Sequence, residues 1–217
     1  MVGLSTAQRT FFDVEPADLG QLAPSEAVFV LREMLWAEAF RLKIAVTSVE
    51  VPFAITDPDG GIDADVTAIP GGAESALIYP PRTSFQVKTG AFAAKTDSEI
   101  ESLLIKPSAI QARRAAARAK KPKKITHHNY DRDDLSPRVR ACLDAGGTFI
   151  VVLFGVDTPD TADEETRQKI ISQLTKVDSK YSNASVRIWR QSTLCGLLRN
   201  FSCGPVPTPS WFSAHSH

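Results

Sequence analysis

Eight consecutive residues, Thr148-Phe149-Ile150-Val151-Val152-Leu153-Phe154-Gly155, limit what this chain can fold into more than any other stretch. A strand that is apolar at alternate positions needs cover on one face, whereas one that is apolar throughout needs cover on both. The run therefore predicts a central strand of an α/β sheet with helices packed above and below. The 217 residues are 43% hydrophobic, which suits one sizeable domain with a real core. That domain is expected over residues 1–203, followed by a Pro/Ser-rich tail or linker over 204–217.

The rest of the chain supplies partners for that strand. Pro24-Ser25 offers a helix start with Ser25 as N-cap, and Glu26–Leu42 is apolar on most faces, as in a buried helix. Val46–Ile55 reads as a strand with Val49, Val51 and Phe53 on one face. Asp57-Pro58-Asp59-Gly60-Gly61 is a strong turn leading into a second strand, Ile62–Ile69, so the two form a hairpin. Phe85–Thr89 is the next strand, and Ala109–Lys121 a helix that Pro122 ends. A polar loop over Ile125–Asp134 leads to a helix opened by Leu135-Ser136-Pro137 and stopped by Gly146-Gly147. Thr161–Val177 is an amphipathic helix with Ile170, Ile171, Leu174 and Val177 inward. Val186–Arg190 reads as a short strand and Ser192–Phe201 as a last helix. This order of elements gives a mixed sheet with helices on its faces, and no segment repeats.

Composition excludes some classes and leaves others open. With 25 basic and 25 acidic side chains the net charge is zero, so the total names no partner. The distribution says more. Lys106, Arg113, Arg114, Arg118, Lys120, Lys121, Lys123 and Lys124 follow one another with no acid among them, more than solubility needs. Such a stretch suits sequence-independent, salt-sensitive contact with a phosphate backbone. His127 and His128 beside it would point opposite ways in an extended segment, which argues against a shared metal. Cys142, Cys195 and Cys203 lack metal-binding spacing and read as reduced core or near-core thiols. Trp36, Trp189 and Trp211 read as core or packing residues rather than base-stacking platforms. The first residues lack a secretion-signal pattern and no apolar run reaches membrane-spanning length, so a cytoplasmic protein is expected.

Chemistry concentrates in two strands. Residues two apart in a strand face the same way, so Asp63 and Asp65 share one face of their strand while Gln86 and Lys88 share one face of the next. A carboxylate, an amide oxygen and an ammonium on neighbouring strands suit a hard divalent metal and a phosphate. Asp63 is the first choice of ligand, and Asp65, on the same face, reads as a second ligand or, in preference, a solvated strand residue.

Glu26 on a helix, then Asp59-Gly60-Gly61-Ile62-Asp63-Ala64, then Phe85-Gln86-Val87-Lys88, resembles the PD-(D/E)xK nuclease superfamily. Within it the pattern is similar to the Mrr-type branch, in which Gln replaces the acid of the third motif. The motifs fall within residues 24–90. The later helix and apolar strand follow the family's continuation to about Phe201.

The resemblance implies a restriction-endonuclease-like fold and a Mg²⁺-dependent DNA endonuclease, with Mn²⁺ able to substitute. Asp63, Gln86, Lys88 and Glu26 would be the catalytic residues. Asp63, Gln86 and the backbone carbonyl of Val87 would be the metal ligands, with Lys88 holding the attacking water and Glu26 orienting it or binding a second cation through water. Arg113, Arg114, Arg118, Lys120, Lys121, Lys123 and Lys124 would contact double-stranded DNA. Related Gln-x-Lys domains serve as nuclease effectors in bacterial antiviral defence, joined to a sensor or NTPase module. The pattern Val186-Arg187-Ile188-Trp189-Arg190, then Leu194-x-x-Leu197-Leu198, looks like the end of such a domain. Cutting both strands needs two sites, so a homo-oligomer is expected. Gln86 in place of an acid keeps a second reading open: a DNA-binding or assembly domain that retains the fold without activity. The Gly-rich phosphate loop and Gly-x-Ser-x-Gly elbow of nucleotide-binding and hydrolase domains do not occur.

Overall fold

The computed structural model describes residues 14–52, 62–119, 130–155 and 161–201. Helices α1 (Pro16–Gly20) and α2 (Pro24–Arg41) come first, then strands β1 (Val49–Glu50), β2 (Ala64–Val66) and β3 (Thr83–Lys88). Helices α3 (Asp97–Leu104), α4 (Pro107–Ala119) and α5 (Pro137–Asp144) precede β4 (Thr148–Leu153). Helix α6 (Thr161–Val177), β5 (Ser185–Trp189) and α7 (Gln191–Phe201) complete the described chain. The turn over 57–61, the end of the first predicted strand, Lys120, Lys121, Lys123, Lys124, His127, His128, Cys203, Trp211 and the tail from 204 lie outside the described residues.

Among the described residues the five strands make one mixed sheet in the order β1-β2-β3-β4-β5. The first two pairings are antiparallel, as the predicted hairpin requires, and β3-β4 and β4-β5 are parallel. All six residues of β4 are buried, so the apolar run is an interior strand covered on both faces.

The two covers are distinct. Phe85, Val87, Ile150, Val152 and Trp189 pack with α2 and α7. Phe149, Val151, Leu153 and Val186 pack with α3, α5 and α6 on the other face. Each fully buried Leu, Val or Phe contributes about 1.5–3 kcal/mol over the exposed state. The sheet is thus held from both sides, and Gln86 and Lys88, alternating with Phe85 and Val87, face the α3–α6 layer.

Three local expectations are corrected. Helix α2 starts at Pro24 with Ala23 as its cap residue, not Ser25. Proline suits the first helical position, and the Glu26 carboxylate accepts from the Ala23 N–H at 2.8 Å to close the turn. Helix α3 lies in a stretch given no element above. Its signal was present: Thr96 Oγ1 accepts from the Glu99 N–H at 3.2 Å, and Glu99 accepts from the Thr96 N–H at 2.9 Å. Trp189 is a core residue with its ring 5.5 Å from that of Phe85, but Trp36 lies on the outer side of α2, 38% exposed.

Glycines set how closely the parallel strand ends approach. A Cβ on Gly155, just past β4, would fall 1.7 Å from the Gly90 carbonyl oxygen, just past β3. Gly90 itself has φ +66°, a conformation costly for a side-chain-bearing residue. The Phe154 N–H donates to the Lys88 carbonyl at 2.8 Å, which ties the same two ends together.

Candidate active site

The β2-β3 register pairs Ala64 with Phe85 and Asp65 with Ser84, and one step further it sets Asp63 opposite Gln86. The Asp63 N–H donates to the Phe85 carbonyl at 2.8 Å. Its carboxylate Oδ2 then accepts the Val87 N–H at 2.7 Å, taking the place of a strand carbonyl. Asp63 is therefore fixed to the strand that carries Gln86 and Lys88, and these three side chains are brought together as the sequence predicts.

Gln86 is fully buried, and neither its Oε1 nor its Nε2 has a hydrogen-bond partner. An amide buried without partners costs about 1–3 kcal/mol. Its flanks, Val87 and Phe85, bury without such a cost, so Gln86 is the one residue of the strand whose chemistry the fold leaves unmet.

Lys88 is half-buried with its Nζ 5.6 Å from the centre of the Phe92 ring. Burial holds its ammonium below the ordinary lysine range, and the Asp63 carboxylate pulls it part of the way back. A lysine so placed is a compact positive charge that gives up its proton more readily than an exposed one.

Two oxygen donors from side chains, one charged and one neutral, match the habit of Mg²⁺, which takes one or two carboxylates and fills its remaining positions with water and phosphate oxygens. The orphaned Gln86 amide fits such an ion, with Asp63 as the charged donor. Among the described residues no group of three or more His, Cys, Asp or Glu side chains gathers into a metal-holding cluster. At Val87 the group that meets Asp63 is the backbone N–H.

Other predicted residues lie elsewhere. Glu26 is exposed at the start of α2, bonded to its own helix, and α2 packs on the sheet face opposite Gln86 and Lys88. Asp65 is corrected: it is 1% exposed, not solvated. It pairs with Arg82, whose Nε donates at 3.0 Å, and it accepts from Ser84 Oγ at 2.8 Å. Bound to Asp65, the Arg82 guanidinium is held above its ordinary range. Burial in the same corner pushes the Cys142 thiol up to about 11, consistent with an unreactive core cysteine. Arg113 is half-buried, paired with Glu101 and stacked 4.8 Å from the Tyr130 ring, while Arg114 and Arg118 are exposed on α4.

One buried charge was not singled out in the sequence. Arg190, just past β5, is 1% exposed and donates through Nε to Asp163 in the first turn of α6, while Nη1 and Nη2 have no hydrogen-bond partner. The β4-β5 register carries Arg190 to the position beside Leu153, which neighbours Lys88, so both cations lie at the carboxyl ends of the parallel strands. The alternation Val186, Ile188, Arg190 was the available signal: an apolar face that ends in a charge.

No family model matches the chain, and no curated protein or solved structure matches it either.

Proposed function

We propose that this chain is a Mg²⁺-dependent DNA endonuclease with a restriction-endonuclease-like fold, hydrolysing phosphodiester bonds at Asp63, Gln86 and Lys88. One observation carries the reading. A wholly buried amide with no hydrogen-bond partner and a half-buried lysine lie two apart on one strand, and a carboxylate is fixed to the backbone N–H of the residue between them. A structural role leaves the Gln86 amide unexplained, whereas an oxygen ligand to a hard cation uses it.

Asp63 and Gln86 would hold the ion, which when bound supplies polarisation of the scissile phosphate and a lower pKa for its water. The chain's own residues do the rest. Asp63 is held by the Val87 N–H so that its position does not depend on the substrate. Lys88 presents positive charge where a phosphate gains negative charge, and low local polarity strengthens that attraction. Its lowered proton affinity suits it to hold and help deprotonate a water. Exposed Arg114 and Arg118 on α4, in the helix layer over the same sheet face, suit contact with the DNA backbone. Service as an effector in bacterial antiviral defence, beside a sensor or NTPase module, rests on the motif resemblance alone.

A second reading is a DNA-binding or assembly domain without activity. The observation in its favour is that, of the predicted carboxylates among the described residues, Asp63 alone accompanies Gln86 and Lys88, since Asp65 is bound to Arg82 and Glu26 to its own helix. Plasmid cleavage with Mg²⁺ or Mn²⁺, beside EDTA and Lys88→Ala controls, separates the two. Metal-dependent nicking or linearisation that Lys88→Ala abolishes is the expected result. DNA binding equally strong with and without metal, and no cleavage by the full chain, selects the second reading.

A further inference from the structure

The two edges of the sheet are finished differently. At one, β1 is two residues long, which leaves little backbone for another chain to pair with. At the other, β5 runs Ser185–Trp189 and, among the described residues, bonds only to β4. Backbone groups of a strand point alternately to its two sides, so about half of those in β5 face outward, with no backbone partner among the described residues.

That edge borders a groove. The groove holds about 680 Å³, and every residue of β5 lines it. Asp163, Glu164 and Arg167 at the start of α6 form one wall, and Thr193 and Leu197 of α7 with Tyr79 form the other. The five residues of β5 span about 16 Å, the length of a short extended peptide.

The charges of the groove are not all met within it. Arg167 donates to Glu164 at 2.8 and 2.6 Å, and Asp163 is paired with Arg190, so the α6 wall is neutral. Arg187 is exposed at the middle of β5 and has no ion pair among the described residues. Its guanidinium lies 4.1 Å from the centre of the Tyr79 ring, and the Tyr79 hydroxyl is tied down in turn, donating to the Ala76 carbonyl at 2.9 Å. An arginine stacked in this way keeps the N–H groups in its plane for a carboxylate. Facing the other way from the strand, Val186 is buried and Ile188 half-buried, which gives apolar contact on that side.

We propose that the β5 edge takes up an extended segment of a partner protein as an added strand, with an Asp or Glu of that segment opposite Arg187 and apolar residues on either side of the acid. The outward N–H and C=O groups call for an extended chain, because a strand matches their alternation. The unmet Arg187 calls for the acid, and strand alternation turns the residues flanking it toward Val186 and Ile188. The inference does not depend on the nuclease reading, because its test reads binding and not cleavage.

Short random peptides displayed on phage and selected on the full chain test it. Enriched peptides should share an acid between two apolar residues, and selection on Arg187→Glu should lose that pattern. In fluorescence anisotropy the best peptide, made synthetically, should bind Arg187→Glu at least about tenfold more weakly than the parent, and replacing the peptide's acid with lysine should restore binding to the variant. N-methylation separates strand addition from other modes. Methylating alternate peptide amides should abolish binding in the set whose N–H groups face β5 and leave it intact in the other. A circular dichroism melt checks that Arg187→Glu folds, as expected of an exposed position. A full chain that enriches no common pattern overturns the inference, as it would if residues 204–217 or a second copy hold the edge. It is equally overturned if both methylated sets lose binding alike, or if Arg187→Glu binds as tightly as the parent.

Discussion

The Asp63 carboxylate accepts the backbone N–H of Val87 at 2.7 Å, across the junction of β2 and β3. This bond does two things at once: it satisfies a strand donor, and it fixes a carboxylate beside Gln86 and Lys88. The two roles separate by mutation. Asp63→Asn keeps an oxygen that accepts the Val87 N–H but loses the charge. It should leave the melting temperature within a few degrees and reduce cleavage at least about a hundredfold, the scale of an electrostatic catalytic contact. Asp63→Ala should lose the same activity and a further 0.5–1.5 kcal/mol, roughly the worth of the bond. Equal melting temperatures for the two variants would show that the bond to Val87 contributes nothing.

Gln86 offers the reverse trade. If its amide is buried without partners when no ion is bound, Gln86→Leu should stabilise the metal-free chain by about 1–3 kcal/mol. The same variant should lose metal-dependent cleavage and any rise in melting temperature that Mg²⁺ or Mn²⁺ gives the parent. Urea denaturation in EDTA reads the first effect. A destabilised Gln86→Leu would mean that the amide is satisfied in solution, and the observation that carries the nuclease reading would fall.

Lys88 makes a prediction about pH. Burial lowers its pKa below 10.5, so between the folded value and 10.5 the unfolded chain binds more protons than the folded one. Stability therefore rises with pH across that window, and below it the penalty of the buried charge is present in full. Lys88→Met should remove this rise. Relative to the parent it should be more stable near neutrality, and the difference should shrink as the pH approaches 10.5. Melting temperatures measured from neutral to alkaline pH check it. Parallel curves for parent and variant would show that Lys88 is not perturbed in solution.

How much of this was legible in the sequence follows from how each signal arises. Thr148–Leu153 and Thr161–Val177 are long and strongly patterned, and the structure places them within a residue or two of expectation. The shared placement of Asp63, Gln86 and Lys88 was legible because strand alternation is a local rule. Asp65 obeys the same alternation, yet alternation does not say which part of a sheet face is roofed. Ser84 and Arg82 close over Asp65, with Cys142 of α5 in the same corner, and this is a tertiary fact. Trp36 was misplaced because α2 is apolar on both its core side and its outer side. Arg190 went unnoticed because its partner Asp163 is twenty-seven residues away.

The approach of Gly90 and Gly155 predicts a sensitive point set by backbone contact just past Lys88. Gly155→Ala would drive a Cβ into the Gly90 backbone at 1.7 Å, where no flexible side chain can give way. The ends of β3 and β4 must separate, straining the Phe154 N–H bond to the Lys88 carbonyl. A loss of about 1–3 kcal/mol is expected, with cleavage reduced beyond what the lost stability explains, because Lys88 moves with its strand. Gly196→Ala on α7, where nothing lies within 4 Å, is the control and should be neutral or slightly stabilising.

Arg190 and Asp163 set the last prediction. Removing one partner of a buried pair leaves an uncompensated charge, so Asp163→Ala should cost about 3–5 kcal/mol. Arg190 starts from a worse position than most buried arginines, since Nη1 and Nη2 have no hydrogen-bond partner even in the intact pair. Exchanging both residues for apolar ones should therefore recover most of the loss: Asp163→Ala with Arg190→Met should be more stable than Asp163→Ala alone, and its loss should fall short of the sum of the two single losses by about 1–3 kcal/mol. Urea midpoints of the parent, both single variants and the double variant give that coupling directly. If the double variant loses the sum of the two single losses, the pair is not an interacting unit and the fold depends on each residue separately.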